Sequence, residues 1–115
     1  MKVMPSLHVR EEPVSDPAAR GAFIRVLIGP GDGAEKFHMR RFRILPGGYS
    51  PHHAHDWEHE VFILAGQGEL LTPAGPKPFQ AGDVIFIEPG LTHQFRNTGA
   101  GELEFLCLIP ALPAS

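Results

Sequence analysis

The sequence predicts an all-β domain, and two features of the chain support that prediction. The 115 residues include 13 glycines and 12 prolines, which divide the chain into short segments separated by turn signals. Apolar, β-branched and aromatic residues fill the segments, and little of the chain has the pattern of a helix. Short strands at this spacing are typical of a β-sandwich or a small barrel. We expect a single domain over residues 1–115.

The turn residues justify each element in chain order. Residues 1–20 contain three prolines and predict an irregular arm or an edge strand, with at most one helical turn beginning at Ser15. The glycine- and proline-rich stretches predict the turns, and the apolar runs between them predict the strands. Turns are expected at 29–33, 46–48, 66–68, 73–78 and 89–90, and strands over 23–28, 35–45, 61–65, 69–72, 84–87, 93–97 and 103–109.

Alternation within the last strand predicts which of its side chains face the interior. Successive side chains of a strand point to opposite faces. Glu102 and Glu104 occupy even positions, whereas the odd positions are apolar. The odd set is therefore expected to face inward: Leu103, Phe105, Cys107 and Ile109.

The same alternation makes Arg40 a candidate functional residue. In 37–44 the even positions end in Phe42 and Ile44, which would place Arg40 on the interior face. A buried arginine is rare unless it is paired. Two interpretations stay open: Arg40 faces a cavity and contacts an anionic ligand, or the register differs by one, with Arg40 exposed and Arg41 inward.

Two of the expected strands are apolar on both faces. In 61–64 and in 84–87 every residue is a large hydrophobe. The outer faces of such strands need a second cover in a domain of this size. We therefore expect a homodimer.

Composition limits the classes of partner. The net charge of −3 and the pI near 6.1 give no basic footprint for nucleic acid. No apolar run reaches the length of a membrane span, and residues 1–12 lack the apolar core of a signal peptide. The single cysteine cannot form an internal disulfide. These features predict a cytoplasmic protein without nucleic-acid or membrane partners. The apolar residues Phe105 and Cys107 on one inward face, with Arg40 as a cation, suggest a small-molecule substrate.

Four histidines have a spacing that suits one metal ion. On a strand, His53 and His55 would share a face, with Cα atoms about 6.5–7 Å apart. His59 would lie roughly 13 Å from His55 on a straight strand, so a bend is expected at 56–58. His93 would come from a neighbouring strand. Neutral imidazole is the commonest side-chain ligand of divalent transition metals; the alternative is an ordinary exposed histidine cluster.

These motifs resemble those of the cupin family. A histidine motif begins at Gly47 and ends at Gly66, and fifteen residues separate Gly66 from Gly82, where the second motif begins. The resemblance covers about residues 35–110. The two stretches similar to the family motifs are Gly47-xxxxx-His53-x-His55-xxx-His59-Glu60-xxxxx-Gly66 and Gly82-xxxxxxx-Gly90-xx-His93-xxx-Asn97.

The resemblance implies a double-stranded β-helix, the cupin jelly-roll barrel, with its core at 35–110 and a metal near one mouth. Family members usually carry Glu where this chain has His59, which leaves Glu60 as an alternative ligand. The four-histidine variant is similar to small single-domain cupins, including manganese-binding members from thermophiles. The implied cofactor is a divalent transition metal, manganese first and Fe, Ni, Cu or Zn as alternatives. The implied ligands are His53, His55, His59 and His93.

The resemblance leaves three functions open. The first is a dioxygenase-type oxidoreductase in which an open metal site activates dioxygen or peroxide, Arg40 orients the substrate and Phe105 lines the pocket. The second is a non-catalytic module that binds a metal or a small ligand. The third is an isomerase, for which Tyr49 is the only tyrosine available as an acid or base. Phe105 and Cys107 also fit plain core packing, although a cysteine beside a redox metal would be open to oxidation.

Overall fold

The computed structural model describes residues 1–111, and in this part of the chain almost all regular structure is β. The helical segments are two single-turn 3-10 helices, Ser6–His8 and Pro30–Asp32. The strands are β1 Glu12–Pro13, β2 Arg20–Ile28, β3 Phe37–Tyr49, β4 His59–Ala65, β5 Gln67–Thr72, β6 Gly75–Gln80, β7 Val84–Ile87, β8 Gln94–Asn97 and β9 Leu103–Pro110.

The strands form one curled antiparallel sheet. Its order is β6-β5-β8-β3-β9-β4-β7, with β2 attached to β3 and β1 attached to β2. The long strand β3 pairs with β2 and β9 along most of its length, while its last residue, Tyr49, pairs with β8. Strand β3 therefore links the two halves of the barrel. The predicted all-β barrel fold is confirmed.

The core lies on the concave face, and β9 contributes to it as predicted. The four odd residues of β9 are buried, with exposures of 0–6%. Ile44, Ile63 and Ile87 from β3, β4 and β7 meet them and are completely buried. Full burial of an aliphatic or aromatic side chain contributes about 1.5–3 kcal/mol, so these positions hold the barrel closed.

The turn predicted at 46–48 is wrong, because β3 continues through it to Tyr49. Gly47 has a φ of 77°, and the pairing of β2 with β3 shifts register at this point. A Cβ on Gly48 would lie 2.6 Å from the carbonyl oxygen of Arg20. The glycines therefore make a β-bulge, which bends the strand without ending it.

The turn predicted at 73–78 is also wrong in extent. The chain turns over Pro73 and Ala74 and then forms β6, which contains Pro76 and Pro78. Strand β6 is at the end of the sheet order and pairs only with β5. Proline is tolerated on an edge strand because its missing N–H removes no central ladder bond.

Large hydrophobic side chains remain exposed on the outer face of β4 and β7. The exposures of Phe62, Val84 and Phe86 are 44%, 76% and 60%. The homodimer expected from these strands stays a prediction. Among the described residues, no helix is long and apolar enough to span a membrane.

Candidate metal centre and substrate cavity

A cavity of about 700 Å³ opens between the barrel and the N-terminal arm. Its lining comes from the arm, from β2, β3, β4, β8 and β9, and from the loops before β4 and β8. All six predicted site residues line this one cavity: Arg40, His53, His55, His59, His93 and Phe105. A volume of this size is typical of sites for drug-sized organic ligands.

Backbone pairing brings the two histidine motifs together. The N–H of His53 donates to the carbonyl of His93 at 3.1 Å, and the N–H of His93 donates to the carbonyl of His53 at 2.9 Å. This is an isolated bridge, so the strand expected through His53 and His55 is wrong. The chain bends at 56–57, as predicted, and His59 returns as the first residue of β4.

The four imidazole rings face one another closely enough to share an ion. Five of the six ring pairs have centre-to-centre distances between 4.1 and 6.2 Å. With a metal–nitrogen bond of about 2.1 Å, ring centres lie roughly 3.2 Å from the ion and at most about 6.4 Å from each other. The observed spacing is therefore within the range that one metal ion requires.

Ring nitrogens without a hydrogen to donate would provide the lone pairs that bind the ion. The Nδ1 of His93 donates to the carbonyl of Leu91 at 2.8 Å, which leaves its Nε2 as a lone-pair donor. The Nε2 atoms of His53 and His55 are 3.1 Å apart. The Nε2 of His59 is buried without a partner, which is costly for a polar atom unless a ligand completes the site.

The donor set fits a divalent transition metal, although its atoms do not form a finished coordination sphere. Across residues 1–111, no group of three or more His, Cys, Asp or Glu side chains is already placed to hold an ion. The ring nitrogens would therefore need to reorient on binding. Borderline-soft cations such as Mn, Fe, Ni, Cu and Zn accept imidazole ligands of this kind.

The environment keeps the four histidines neutral. Burial, reinforced by the neighbouring histidines, lowers the pKa of His53 to about 4 and that of His59 to about 3. Burial also lowers the pKa of His55 and of His93. Neutral imidazole is the form that binds metals, so at neutral pH all four rings are ready to act as ligands.

Glu60, the alternative ligand, lies outside the cavity. It follows His59 on β4, and alternation along the strand turns its exposed side chain to the outer surface. There it lines a separate depression with Lys36 and Phe37. His59, not Glu60, is therefore the residue that β4 presents to the other histidines.

The register of β3 places Arg40 inside. Arg40 pairs with Cys107 of β9, and its Nη2 donates to the Cys107 Sγ at 3.1 Å. Its guanidinium lies 5.0 Å from the centre of the Phe42 ring, and its Nε is buried without a partner. Arg41 points the other way, to Ser6 and Glu104. The interpretation with Arg41 inward is therefore wrong.

Cys107 links Arg40 to the histidines. Its Sγ lies 3.4 Å from the Nδ1 of His59 as well as against Arg40. Burial raises the pKa of the Cys107 thiol, and the positive charge of Arg40 opposes that shift. At neutral pH the residue is therefore a buried thiol in the wall of the cavity, consistent with its predicted inward orientation.

No sequence pattern indicated that the arm belongs to the site. Residues 12–17 line the cavity, because β1 pairs with β2 and Val14 donates to the carbonyl of Ala22 at 2.9 Å. Prolines in the arm signalled only irregular structure. Conversely, Tyr49 lines a shallow pocket with His52 and Arg96 rather than this cavity.

The chain is therefore a β-barrel whose cavity is lined by four histidines, which form a candidate metal centre. The chain belongs to the Cupin_2 family, whose cupin domain matches residues 40–109. The family resemblance predicted from the two histidine motifs is confirmed.

Individual relatives differ in what they do. The chain is 39% identical over 70 residues to the oxalate-binding protein of Thermotoga maritima, covering 60% of this chain and 58% of that protein. It is 32% identical over 83 residues to the gentisate 1,2-dioxygenase of a Ralstonia species, covering 66% of this chain and 23% of that protein. The matches therefore span less than two thirds of either curated relative.

A solved structure resembles nearly the whole chain. The polyketide cyclase RemF from Streptomyces resistomycificus superposes with a TM-score of 0.92 at 33% identity, covering 97% of this chain and 80% of that one. The relatives thus share the barrel while their names describe binding, oxidation and cyclisation, so the site must carry the functional argument.

Proposed function

We propose that the protein is a metal-dependent oxidoreductase of dioxygenase type that acts on a small organic substrate inside the barrel. One observation carries the proposal: four neutral imidazoles share a cavity of about 700 Å³ with a partly unpaired arginine. The match to a gentisate 1,2-dioxygenase supports the reaction class.

The proposed cofactor is one divalent transition metal, with manganese as the first candidate and Fe, Ni, Cu or Zn as alternatives. His53, His55, His59 and His93 would hold it. When bound, the ion would supply Lewis acidity undiminished by ligand charge, together with open positions for dioxygen or peroxide and for substrate.

The other residues of the cavity bind and orient the substrate. Within the described residues Arg40 makes one side-chain hydrogen bond, from its Nη2 to Cys107, so the rest of its guanidinium can receive an acidic group that enters the cavity. A planar guanidinium that offers two N–H groups fixes the direction of a carboxylate as well as its position. Phe105 forms an apolar part of the cavity wall. This residue is 2% exposed, so it also excludes water from the inner end of the cavity.

The test begins with the metal content of untagged protein. We expect about one transition-metal ion per chain in the wild type and loss of that ion in His59→Ala. His52→Ala is the matched control, because His52 is exposed and lies outside the cavity. Loaded protein should then consume dioxygen or peroxide with an organic substrate. Absence of metal after incubation with each divalent ion, or equal loss in the control, would refute the metal site.

A non-catalytic role is the second candidate, and Arg40 together with one relative favours it. A cation in a cavity suits a small carboxylate, and the oxalate-binding protein of Thermotoga maritima is 39% identical over the matched region. Tight binding of oxalate to the loaded protein, without consumption of dioxygen or peroxide across the substrate panel, would favour this function. An isomerase would need an acid–base pair other than Tyr49, which lies outside the cavity.

A further inference from the structure

We propose that the cavity takes a planar aromatic carboxylate, larger than a two-carbon diacid, with its acidic group at Arg40 and its ring among phenylalanines. This inference rests on the proposed function only in using the same cavity. It concerns recognition by the protein's own side chains, and it does not depend on the reaction.

The size of the cavity argues against a very small ligand. Oxalate has six non-hydrogen atoms. If each of them is given the ~30 Å³ that one water molecule takes in the liquid, the ion occupies roughly 180 Å³. The cavity measures about 700 Å³. Even with a metal and its waters inside, a two-carbon acid would leave most of the apolar lining in contact with solvent, whereas a bicyclic acid would cover it.

The inner wall is a column of stacked aromatic rings. The ring of Phe105 lies 5.2 Å from that of Phe42 and 4.5 Å from that of Phe95, with both pairs tilted by 22°. All three rings line the cavity. Phe105 lies between the other two rings and is 2% exposed, so a ligand meets this wall at ring edges. Edge-to-face contacts form between aromatic rings and cannot be reproduced by saturated rings, so this wall favours a flat aromatic ligand over an alicyclic one.

The arm adds a second apolar part of the lining. Pro13, Val14 and Pro17 contribute side chains there, and Ile24 of β2 lies beside them. Proline offers no N–H, and its ring keeps a fixed shape. A ligand between the arm and the phenylalanine column therefore meets two apolar surfaces with few donors, which suits a flat hydrocarbon body.

Charge fixes one end of the ligand. Arg40 is the only cationic side chain that lines the cavity within the described residues, and its Nε has no hydrogen-bond acceptor. Its guanidinium lies over Phe42, so an acid bound there adjoins the aromatic column. The two carboxylates of the lining, Glu12 and Asp16, are exposed residues of the arm. These carboxylates would repel a second acidic group of the ligand near the arm, which favours a ligand with a single negative charge.

Binding calorimetry on the full chain tests the proposal with four probes: 2-naphthoate, its saturated decalin analogue, uncharged 2-naphthalenemethanol, and oxalate. Metal-free protein is used first, because the proposed contacts belong to the chain itself. We expect 2-naphthoate to bind at least ten-fold more tightly than each of the others. Oxalate binding as tightly as 2-naphthoate, or decalin carboxylate equalling it, would overturn the proposal.

Two variants separate the acid contact from the aromatic contact. Arg40→Met should weaken 2-naphthoate at least ten-fold and leave 2-naphthalenemethanol unchanged, whereas Arg96→Met, on the outer surface, should change neither. Phe42→Leu should reduce the preference for 2-naphthoate over its saturated analogue, and Phe62→Leu, exposed on the outer face, should not. Unchanged binding in Arg40→Met, or an effect equal to its control, refutes the acid contact.

The design keeps the two proposals distinguishable. Thermal unfolding checks that each variant is folded, and Arg40→Lys replaces Arg40→Met if the latter is not. Arg40→Lys should still weaken 2-naphthoate, because a lysine lacks the planar fork. Selective binding of 2-naphthoate without any metal-dependent oxidation supports this inference and refutes the oxidoreductase. Oxidation of alicyclic substrates without selectivity for flat acids refutes this inference and leaves the oxidoreductase in place.

Discussion

Glu11 makes a two-contact ion pair between the arm and the barrel, which makes Glu11→Gln an informative substitution. Glu11 accepts hydrogen bonds from Arg43, at 3.0 Å from its Nε and 2.8 Å from its Nη2. It also lies 3.6 Å from Arg25, which donates to the carbonyls of Leu7 and Val9. Glutamine keeps the size of the side chain and removes its charge, so the substitution weakens this whole contact.

The magnitude follows from the geometry and the exposure. The side chains of Glu11 and Arg43 are 21% and 28% exposed, so solvent screens the pair in part. Exposed ion pairs contribute about 0.2–1 kcal/mol, and a bidentate, charge-assisted pair contributes more. We expect the variant to lose about 1–2 kcal/mol of arm attachment, which raises the opening equilibrium about 5–30-fold.

Hydrogen exchange with mass spectrometry measures that opening. The amide of Val14 bonds to the carbonyl of Ala22 and reports on the arm. Its exchange should accelerate 5–30-fold in Glu11→Gln, while amides of β9 keep their wild-type rates. Glu12→Gln is the matched control, because Glu12 is 58% exposed and pairs with Arg10, which is 85% exposed.

Three outcomes would refute the reasoning about the arm. An unchanged exchange rate at Val14 would show that Glu11 does not hold the arm. Acceleration equal to that of Glu12→Gln would show that any loss of charge has the same effect. Acceleration in β9 as well would show that the barrel, and not the arm alone, has been destabilised.

Three further predictions concern pH, metal and packing. The hydrogen bonds from Arg43 lower the pKa of Glu11 below 4.5. Arm attachment should therefore be complete above pH 4.5 and should weaken as pH falls through that lowered pKa. Protection factors of the arm amides, corrected for intrinsic exchange, measure this change. Manganese at 100 times its dissociation constant should stabilise the wild type by about 2.7 kcal/mol; thermal shift assays should show this in the wild type but not in His59→Ala. Gly68→Ala should cost about 1–3 kcal/mol in urea unfolding, because its Cβ would lie 2.2 Å from a carbonyl oxygen of β8, whereas Gly101→Ala, with no atom within 4 Å, should be nearly neutral.

Two predictions from spacing within a short segment were confirmed. The inward set of β9 followed from alternation over seven residues, and all four of its members are buried. The bend at 56–57 was expected because His59 would lie too far from His55 on a straight strand. In both cases the relevant length is a few residues, over which the geometry of a strand is nearly independent of the rest of the fold.

Predictions from turn residues alone were less accurate. Gly47 and Gly48 carry a bulge within β3, and Pro76 and Pro78 sit within an edge strand. Glycine and proline permit a turn, but they also permit a bulge or an edge position. The register of pairing with the neighbouring strand decides between these outcomes, and the residues of one segment do not specify that register.

The amino-acid sequence by itself determined the β character of the chain, the two histidine motifs and the inward face of β9, because these depend on residue type and on spacing within one segment. The tertiary structure decided the rest. Pairing of β3 with β9 turned Arg40 towards Cys107, pairing of β1 with β2 brought the arm to the cavity, and the bridge between His53 and His93 joined the two motifs. Each of these contacts joins two different segments of the chain, so it depends on the register of backbone hydrogen bonds and on a shared core, which no single segment specifies.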